Sequence, residues 1–171
     1  TNYTGALTVT GAAHKLSELV TINNATNGEI TLSVPGEALT GSTAELKQAL
    51  DGKITGGYKG NITLGDKTNL DIQATDLSFV AGKTAGTITV TNAIDINGSA
   101  TEVATAMKET GLTAKTANVT LTDKPHDLQE LIDINDRTTG SITIHANRRN
   151  IALSGSAKDL AAALDGITNY T

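Results

Sequence analysis

Two histidines occupy equivalent places in a repeated stretch of the chain, and a repeated histidine suggests a metal site. His14 lies in "LTVTGAAHKLSEL", and His126 lies in "VTLTDKPHDLQEL". Thr75 stands near that place in a third, looser copy. If each repeat adds one strand to a stack at about 4.8 Å, the two histidines lie roughly 20 Å apart and cannot share an ion. We therefore expect a structural role for both, and a surface position for His145.

Carboxylate and amide oxygens in turns could instead bind calcium, which prefers several such ligands. They occur in "IDINDRTTG", "IDING" and "GDKTNLDIQATD", and comprise Asp66, Asp71, Asp76, Asp95, Asn97, Asp133 and Asp136. The sequence has neither a D-x-D-x-D-G loop nor the G-G-x-G-x-D nonapeptide of calcium-binding β-rolls. Asp and Asn also favour turns for purely conformational reasons. We predict no cofactor and no metal ligand, with calcium kept as an alternative.

Nucleophilic catalysis has no sequence support. The chain has no cysteine and no G-x-S-x-G turn. Ser42, Ser99 and Ser156 begin apolar stretches, and an acidic residue follows each of them three positions later. That spacing is typical of a helix N-cap with its capping box, so it explains these serines without chemistry. We predict that the protein is not an enzyme and assign no catalytic residue.

Threonine is conspicuous, with 29 copies, many of them alternating with Ile, Leu or Val. Alternation in a strand places the threonines on one face, where stacked strands would form rows of hydroxyl and methyl groups. Such rows resemble those of ice-binding β-solenoids, although threonine is also simply favoured in strands and Gly65 and His145 interrupt the second row. The candidate surface ladder comprises Thr8, Thr10, Thr31, Thr63, Thr89, Thr91, Thr120, Thr122 and Thr143.

The strands that would position this ladder are recognisable as a recurring tetrad. It reads "LTVT", "ITLS", "ITLG", "ITVT", "VTLT" and "ITIH", and the six units start near residues 7, 30, 62, 88, 119 and 142. The steps of 23, 32, 26, 31 and 23 residues alternate between short and long. The period is therefore a pair of units of about 56 residues. Long units carry a second apolar stretch after the tetrad: "EALTG", "IDING" and "IALSG".

Short helices follow the strands. The three serines predict N-caps, the apolar residues after them form one stripe per helix, and Gly52 and Gly166 are interpreted as left-handed helix stops. A helix of about ten residues and a strand of about four are marginal alone. Stacked neighbours would cover both.

These patterns predict an α/β repeat solenoid, with short parallel strands stacked in a sheet and short helices or turns on the return side. Residues 1–171 then form a single solenoid of six units in three pairs, which we expect to be a piece of a longer array because "TNYT" occurs at both ends. The alternative is a compact, Rossmann-like α/β domain with six strands. "GGYKGN" at Gly56 lacks the glycine spacing of its phosphate loop.

Composition narrows the class of partner. The net charge is −5 with scattered charges, unlike the basic surface of a nucleic-acid-binding protein. No apolar run is long enough to span a membrane. We therefore predict that the chain neither binds nucleic acid nor spans a membrane.

The phrases "TNYTGALTVTGAAHKLSELVTINNATNGEITLS" and "LSGSAKDLAAALDGITNYT" resemble repeats of giant exported bacterial cell-surface and adhesin-like proteins. This family is found in marine cyanobacteria and includes the cell-surface protein needed for swimming in Synechococcus. The resemblance implies an extracellular or cell-surface structural array, acting as a spacer or surface layer with an adhesive or motility role. The implied partners are neighbouring repeats of the same chain and the cell envelope or surface glycans. Because no polar capping repeat is visible in the sequence, we also expect end-to-end self-association with a second copy. The alternative is a solenoid that binds calcium, glycan or ice.

Overall fold

The computed structural model describes residues 2–11, 14–109, 112–113, 116–123, 127–145 and 152–169, which form an α/β fold. Within them lie six helices: α1 (Leu16–Ala25), α2 (Thr43–Leu50), α3 (Ala74–Lys83), α4 (Ala100–Lys108), α5 (Leu128–Asn135) and α6 (Ala157–Leu164). The strands are β1 (Leu7–Val9), β2 (Ile30–Leu32), β3 (Leu39–Gly41), β4 (Ile62–Leu64), β5 (Asp71–Gln73), β6 (Ile88–Val90), β7 (Asp95–Gly98), β8 (Leu112–Thr113), β9 (Asn118–Leu121), β10 (Ile142–Ile144) and β11 (Ile167–Asn169).

The strands form three sheets, and every strand pair among the described residues is parallel. Their orders are β1-β2, β3-β4-β6-β8 and β5-β7-β9-β10-β11. Each strand pairs with the one roughly two dozen residues further along, as Leu7 does with Ile30 and Ile62 with Ile88. Parallel strands need a crossover connection of this length.

All six tetrads form strands, as predicted, but they do not line up in one sheet. They pair two by two: β1 with β2, β4 with β6, and β9 with β10. The prediction of a single sheet is wrong because the second apolar stretches of the first two long units form β3 and β7, which take the next pairing positions. Thus Leu39 of β3 lies opposite Ile62, and Ile96 of β7 lies opposite Val119. The sheet changes once in every two units.

The helices form a layer in which each one packs against the helices before and after it in the chain. Their inward faces carry fully buried residues, including Leu46, Leu77, Val103 and Leu131. These meet the inward residues of the strands, such as Ile62 and Ile88, in one continuous apolar core. The burial of Leu, Ile, Val and Ala replaces the aromatic core that the sequence lacks.

The predicted helix starts are confirmed. The hydroxyl oxygens of Ser42, Ser99 and Ser156 each accept a bond from the backbone N–H three residues later. In α2 and α4 the acid at that third position also bonds back to the N-cap amide, which completes the capping box.

The interpretation of Gly52 and Gly166 as left-handed stops is wrong, because neither lies in that region of backbone space. These glycines serve close packing. A Cβ at Gly52 would lie 2.0 Å from Oδ1 of Asn23, and one at Gly166 would lie 1.8 Å from Oδ1 of Asn135. Both asparagines donate to a carbonyl of the following helix, that of Gln48 and that of Ala162. Glycine makes room for a cross-unit hydrogen bond.

A threonine two residues before a glycine ties neighbouring units together at the end of each short unit. The Thr26 hydroxyl donates to the carbonyl of Tyr3 and accepts from the amide of Gly28. The same pair of bonds joins Thr84 to Gly60 and Gly86, and Thr138 to Ala117 and Gly140. Thr26 and Thr138 are buried. The T-x-G sequence therefore satisfies polar groups inside the stack rather than on its surface.

Candidate functional surface

Threonines on adjacent strands lie side by side, as the sequence predicted, but in separate short rows. Thr8 is opposite Thr31 in the first sheet. In the second sheet Thr40, Thr63 and Thr89 are in register, and Thr113 continues that strand position. Thr40 and Thr89 are exposed, and Thr63 is half-buried. This row of three, here called the central Thr row, is spaced at about 4.8 Å.

Sequence reasoning missed Thr40 because it lies in the second apolar stretch of a long unit, "EALTG", rather than in a tetrad. The signal was available. That stretch repeats the alternation of an apolar residue with threonine, and its leucine pairs with the next tetrad.

In the third sheet the row is mixed rather than uniform. Thr120 and Thr143 are in register, but Asn97 and Gln73 continue the row. Asn97 donates to the carboxylate of Asp71 across the strands at 3.0 Å. The predicted ladder therefore does not run the length of the molecule.

The second predicted row, which comprises Thr10, Thr91 and Thr122, contributes fewer hydroxyl groups to the surface than the first row does. The Thr91 hydroxyl donates to the backbone carbonyl of Leu64 at 2.9 Å. Its hydrogen atom is therefore used within the second sheet and does not point to an outside ligand. Gly65 lies at the end of the second sheet and His145 at the end of the third, where their backbone N–H groups donate to Gly41 and Leu121. Thr10 and Thr122 are exposed. No continuous hydroxyl surface forms here among the described residues.

The histidines lie in different surroundings. His14 is buried, and its ring packs edge-on against Tyr58 with centroids 6.2 Å apart. Its Nε2 is buried and has no hydrogen-bond partner. His145 is exposed, while His126 lies outside the described residues. The structure thus places His14 in packing contact with an aromatic ring.

Asp66, Asp71 and Asp95, three of the aspartates that suggested calcium, accept hydrogen bonds from neighbouring units. The Asp66 carboxylate, which is 3% exposed, accepts from the amide and hydroxyl of Thr43. Asp123 likewise accepts from the amide of Ala100. Within the part of the chain that the structure describes, no group of three or more His, Cys, Asp or Glu could hold a metal ion.

The role of Asp66 and Asp123 is a second feature that sequence reasoning missed. Each acid caps a helix that began 23 residues earlier. The signal lies in the sequence, since each follows a tetrad, in "ITLGD" and "VTLTD". A local capping search considers only the helix that follows an acid, so it cannot find this contact.

Ion pairs join consecutive helices. Lys47 of α2 pairs with Asp76 of α3 and also lies over the Phe79 ring, 5.8 Å from its centroid. Lys108 of α4 pairs with Asp133 of α5. The hydrogen bond from Lys108, supported by one from Gln129, holds the pKa of Asp133 below its usual value against the opposing effect of burial.

The comparisons with known proteins find no match to this chain: no family model, no curated protein and no solved structure matches it. Among the described helices, none combines the length and the apolar character that crossing a bilayer requires. Functional inference therefore depends on the geometry and on the sequence pattern.

Proposed function

We propose that this chain is a non-catalytic structural repeat segment, built as an α/β solenoid, that acts as an extended spacer or surface layer. One observation carries the proposal: strands pair with strands about one unit away, and each helix packs on its sequence neighbours. Order that passes only between neighbours is typical of a repeat protein. Each added unit then lengthens the molecule and extends the existing hydrophobic core, with no separate core of its own.

The surface area supports an elongated body. The accessible surface is 8906 Å². A compact monomer of this mass would expose about 7,900 Å². An elongated stack of units would expose a larger surface than a compact body of the same mass.

The polar groups of the structure support a structural role rather than catalysis. Asp66, Asp123, Thr26, Thr84 and Thr138 all bond across to a neighbouring unit. They stabilise the spacing between units. The sequence resemblance extends this proposal to a large exported bacterial cell-surface protein, with adhesion to the cell envelope or surface glycans.

Small-angle X-ray scattering, extrapolated to zero concentration, tests the spacer proposal. Six helices packed about 10 Å apart give a body 50–60 Å long with a radius of gyration of ~18 Å. A compact chain of this length would give about 15.5 Å. A skewed distance distribution with a long tail supports the solenoid, and a symmetric one near the compact value refutes it.

The central Thr row favours a second candidate function, contact with an ordered surface such as ice. Thr40, Thr63 and Thr89 offer hydroxyl and methyl groups in register. Thermal hysteresis of the chain, lost in Thr63→Lys, would support this candidate.

The alternative in which the chain binds calcium predicts a large rise in melting temperature when calcium is added, and a chelator should reverse that rise.

A further inference from the structure

Two asparagines of the chain precede a glycine, in Asn27–Gly28 and Asn97–Gly98. This dipeptide favours a spontaneous cyclisation, because glycine has no side chain to hinder the approach of its backbone nitrogen to the asparagine side chain. The glycine nitrogen loses its proton to solvent and bonds to Cγ of the asparagine. The bond between Cγ and Nδ2 then breaks and ammonia leaves. Water opens the resulting succinimide at either carbonyl, which gives aspartate or isoaspartate.

Asn97 is held in a way that prevents this reaction in the folded chain. It lies in β7, which pairs with β5 on one side and with β9 on the other. Its Nδ2 donates to the carboxylate of Asp71 at 3.0 Å, and Gly98 is buried. Cyclisation would require both the side chain and the strand to leave the sheet.

Asn27 lies in different surroundings. It is exposed, in the turn between α1 and β2. Its Oδ1 accepts a long hydrogen bond of 3.3 Å from Nδ2 of Asn2. That bond polarises the Cγ carbonyl and does not hold the departing Nδ2. The electrophile is therefore accessible to attack, and what restrains the reaction acts on the nucleophile.

The restraint on the nucleophile is the T-x-G pair of hydrogen bonds. The Gly28 N–H donates to the hydroxyl of Thr26 at 2.9 Å, and that hydroxyl donates to the carbonyl of Tyr3 in the neighbouring unit at 2.9 Å. Thr26 is buried, so a base from solvent reaches the Gly28 N–H only when the two units separate locally. The reaction rate at Asn27 should therefore follow this local opening.

The close packing of Gly28 makes such an opening permanent once the reaction has occurred. A Cβ at Gly28 would lie 2.0 Å from the carbonyl oxygen of Gly5, so the two backbones touch with no spare room. Isoaspartate routes the main chain through the side-chain methylene, which adds one atom to the backbone directly before Gly28. Gly28 then cannot restore both its contact with Gly5 and its bond to Thr26.

We propose that Asn27 is a self-modification site, whose conversion to aspartate and isoaspartate records the local separation of two neighbouring units. Thr26 is a positioning residue that slows the conversion through its hydroxyl. The inference depends on these contacts and on the chemistry of the dipeptide, and it is independent of the spacer function proposed above.

Peptide mass mapping of the folded chain during storage at alkaline pH tests the proposal, with enzymatic methylation to detect isoaspartate. We expect Asn27 to convert while Asn97 persists. Thr26→Val should speed the conversion of Asn27 about three- to tenfold, because the Gly28 N–H loses one hydrogen bond. Thr84→Val removes the equivalent pair of bonds at a site where Ala85 replaces the asparagine, so it should leave the rate at Asn27 unchanged.

The two asparagines of one chain provide an internal reference, because general unfolding would release both of them. Equal conversion of Asn27 and Asn97 in the unsubstituted chain overturns the proposal without the use of any variant. A Thr26→Val chain in which Asn27 keeps the parent rate, or in which both asparagines speed up equally, overturns the role of the hydroxyl. Thr26→Ser retains the hydroxyl and should keep the parent rate.

Hydrogen exchange of the Gly28 amide tests whether the opening is permanent. In chains that contain isoaspartate at this position the Gly28 amide should exchange faster than in fresh chains, while the Gly86 amide, which bonds to Thr84 in the same way, should be unchanged. A modified chain whose Gly28 amide is as protected as in the fresh chain overturns this part of the proposal.

Discussion

The carboxylate of Asp66 receives both the backbone N–H and the hydroxyl of Thr43, at 3.0 Å and 2.6 Å, from the unit before it. Ser42 already caps that helix locally. The first turn of α2 therefore donates both to the Ser42 hydroxyl and to the Asp66 carboxylate. The first link is local, and the second couples one unit to the next. Stability of α2 is thereby tied to the correct stacking of the following strand.

Replacing Asp66 by Ala should lower the free energy of unfolding by about 2 kcal/mol, because a buried amide and hydroxyl lose their acceptor. Urea denaturation measures the change. Asp51→Ala is the matched control, since Asp51 is exposed at the C-terminal end of the same helix, where an acid opposes the helix dipole. An Asp66 variant as stable as the Asp51 control would contradict the coupling of units through this carboxylate.

Tyr58 should titrate late. Its burial, with the charge of Glu37 as a smaller cause, raises the pKa of Tyr58 to about 12. Since the neutral phenol is favoured in the folded state, the associated stability is complete below pH 10 and is lost as the pH rises through about 12. Ultraviolet titration of tyrosine ionisation should show one late component that disappears in Tyr58→Phe and persists in Tyr3→Phe.

Alanine substitutions at the same two positions compare a buried tyrosine with its exposed copy. The Tyr58 hydroxyl donates to the carbonyl of Glu37. Tyr58→Ala should cost about 3–5 kcal/mol through the cavity it leaves. Tyr3→Ala, at an equivalent but exposed position, should cost less than about 1 kcal/mol. Equal losses at the two positions, measured by thermal unfolding, would show that Tyr3 is covered in solution.

The Lys108–Asp133 pair should contribute modestly and only above acidic pH. Because the pKa of Asp133 is lowered in the folded state, its contribution is present above the usual carboxyl range and is lost as the pH falls through the lowered value. Lys108→Met should cost about 0.5 kcal/mol at pH 7. The difference from the parent should vanish in strong acid and shrink in high salt. Lys59→Met serves as the control at an exposed lysine.

The three serine caps should differ by position. Ser42→Ala and Ser99→Ala should each cost about 1 kcal/mol, because they begin helices packed on both sides. Ser156 begins α6, which packs against α5 alone among the described helices. Ser156→Ala should therefore lower the free energy of global unfolding by less than about 0.5 kcal/mol, since a helix with few neighbours opens locally. Hydrogen exchange of the α6 amides should reveal that local loss. A global effect as large as that of Ser42→Ala would mean that α6 is held from both sides.

Local structure was predictable here, and pairing was not. Ser42 and Glu45 predict the start of α2 from a span of four residues. Each tetrad forms a strand because its alternation of apolar and polar residues fits a half-buried sheet. The choice between Ile30 and Leu39 as the partner of a later strand depends on how the chain stacks, which no local pattern shows. The prediction that Gly52 is a left-handed helix stop failed for a related reason, because Gly52 contacts Asn23 only after two units have packed together. The cross-unit cap by Asp66 is equally invisible until stacking is known.

The change of sheet after every second unit fixes how such a chain could grow. An insertion of one 23-residue unit, the interval between Leu7 and Ile30, would bring the wrong apolar stretch opposite the existing edge strand. An insertion of 57 residues, the interval between Ala100 and Ala157, would return the same type of helix and the same type of strand to the positions that it interrupts. Elongation by gene duplication should therefore proceed in doublets, and a family built on this plan should differ in length by whole multiples of that interval.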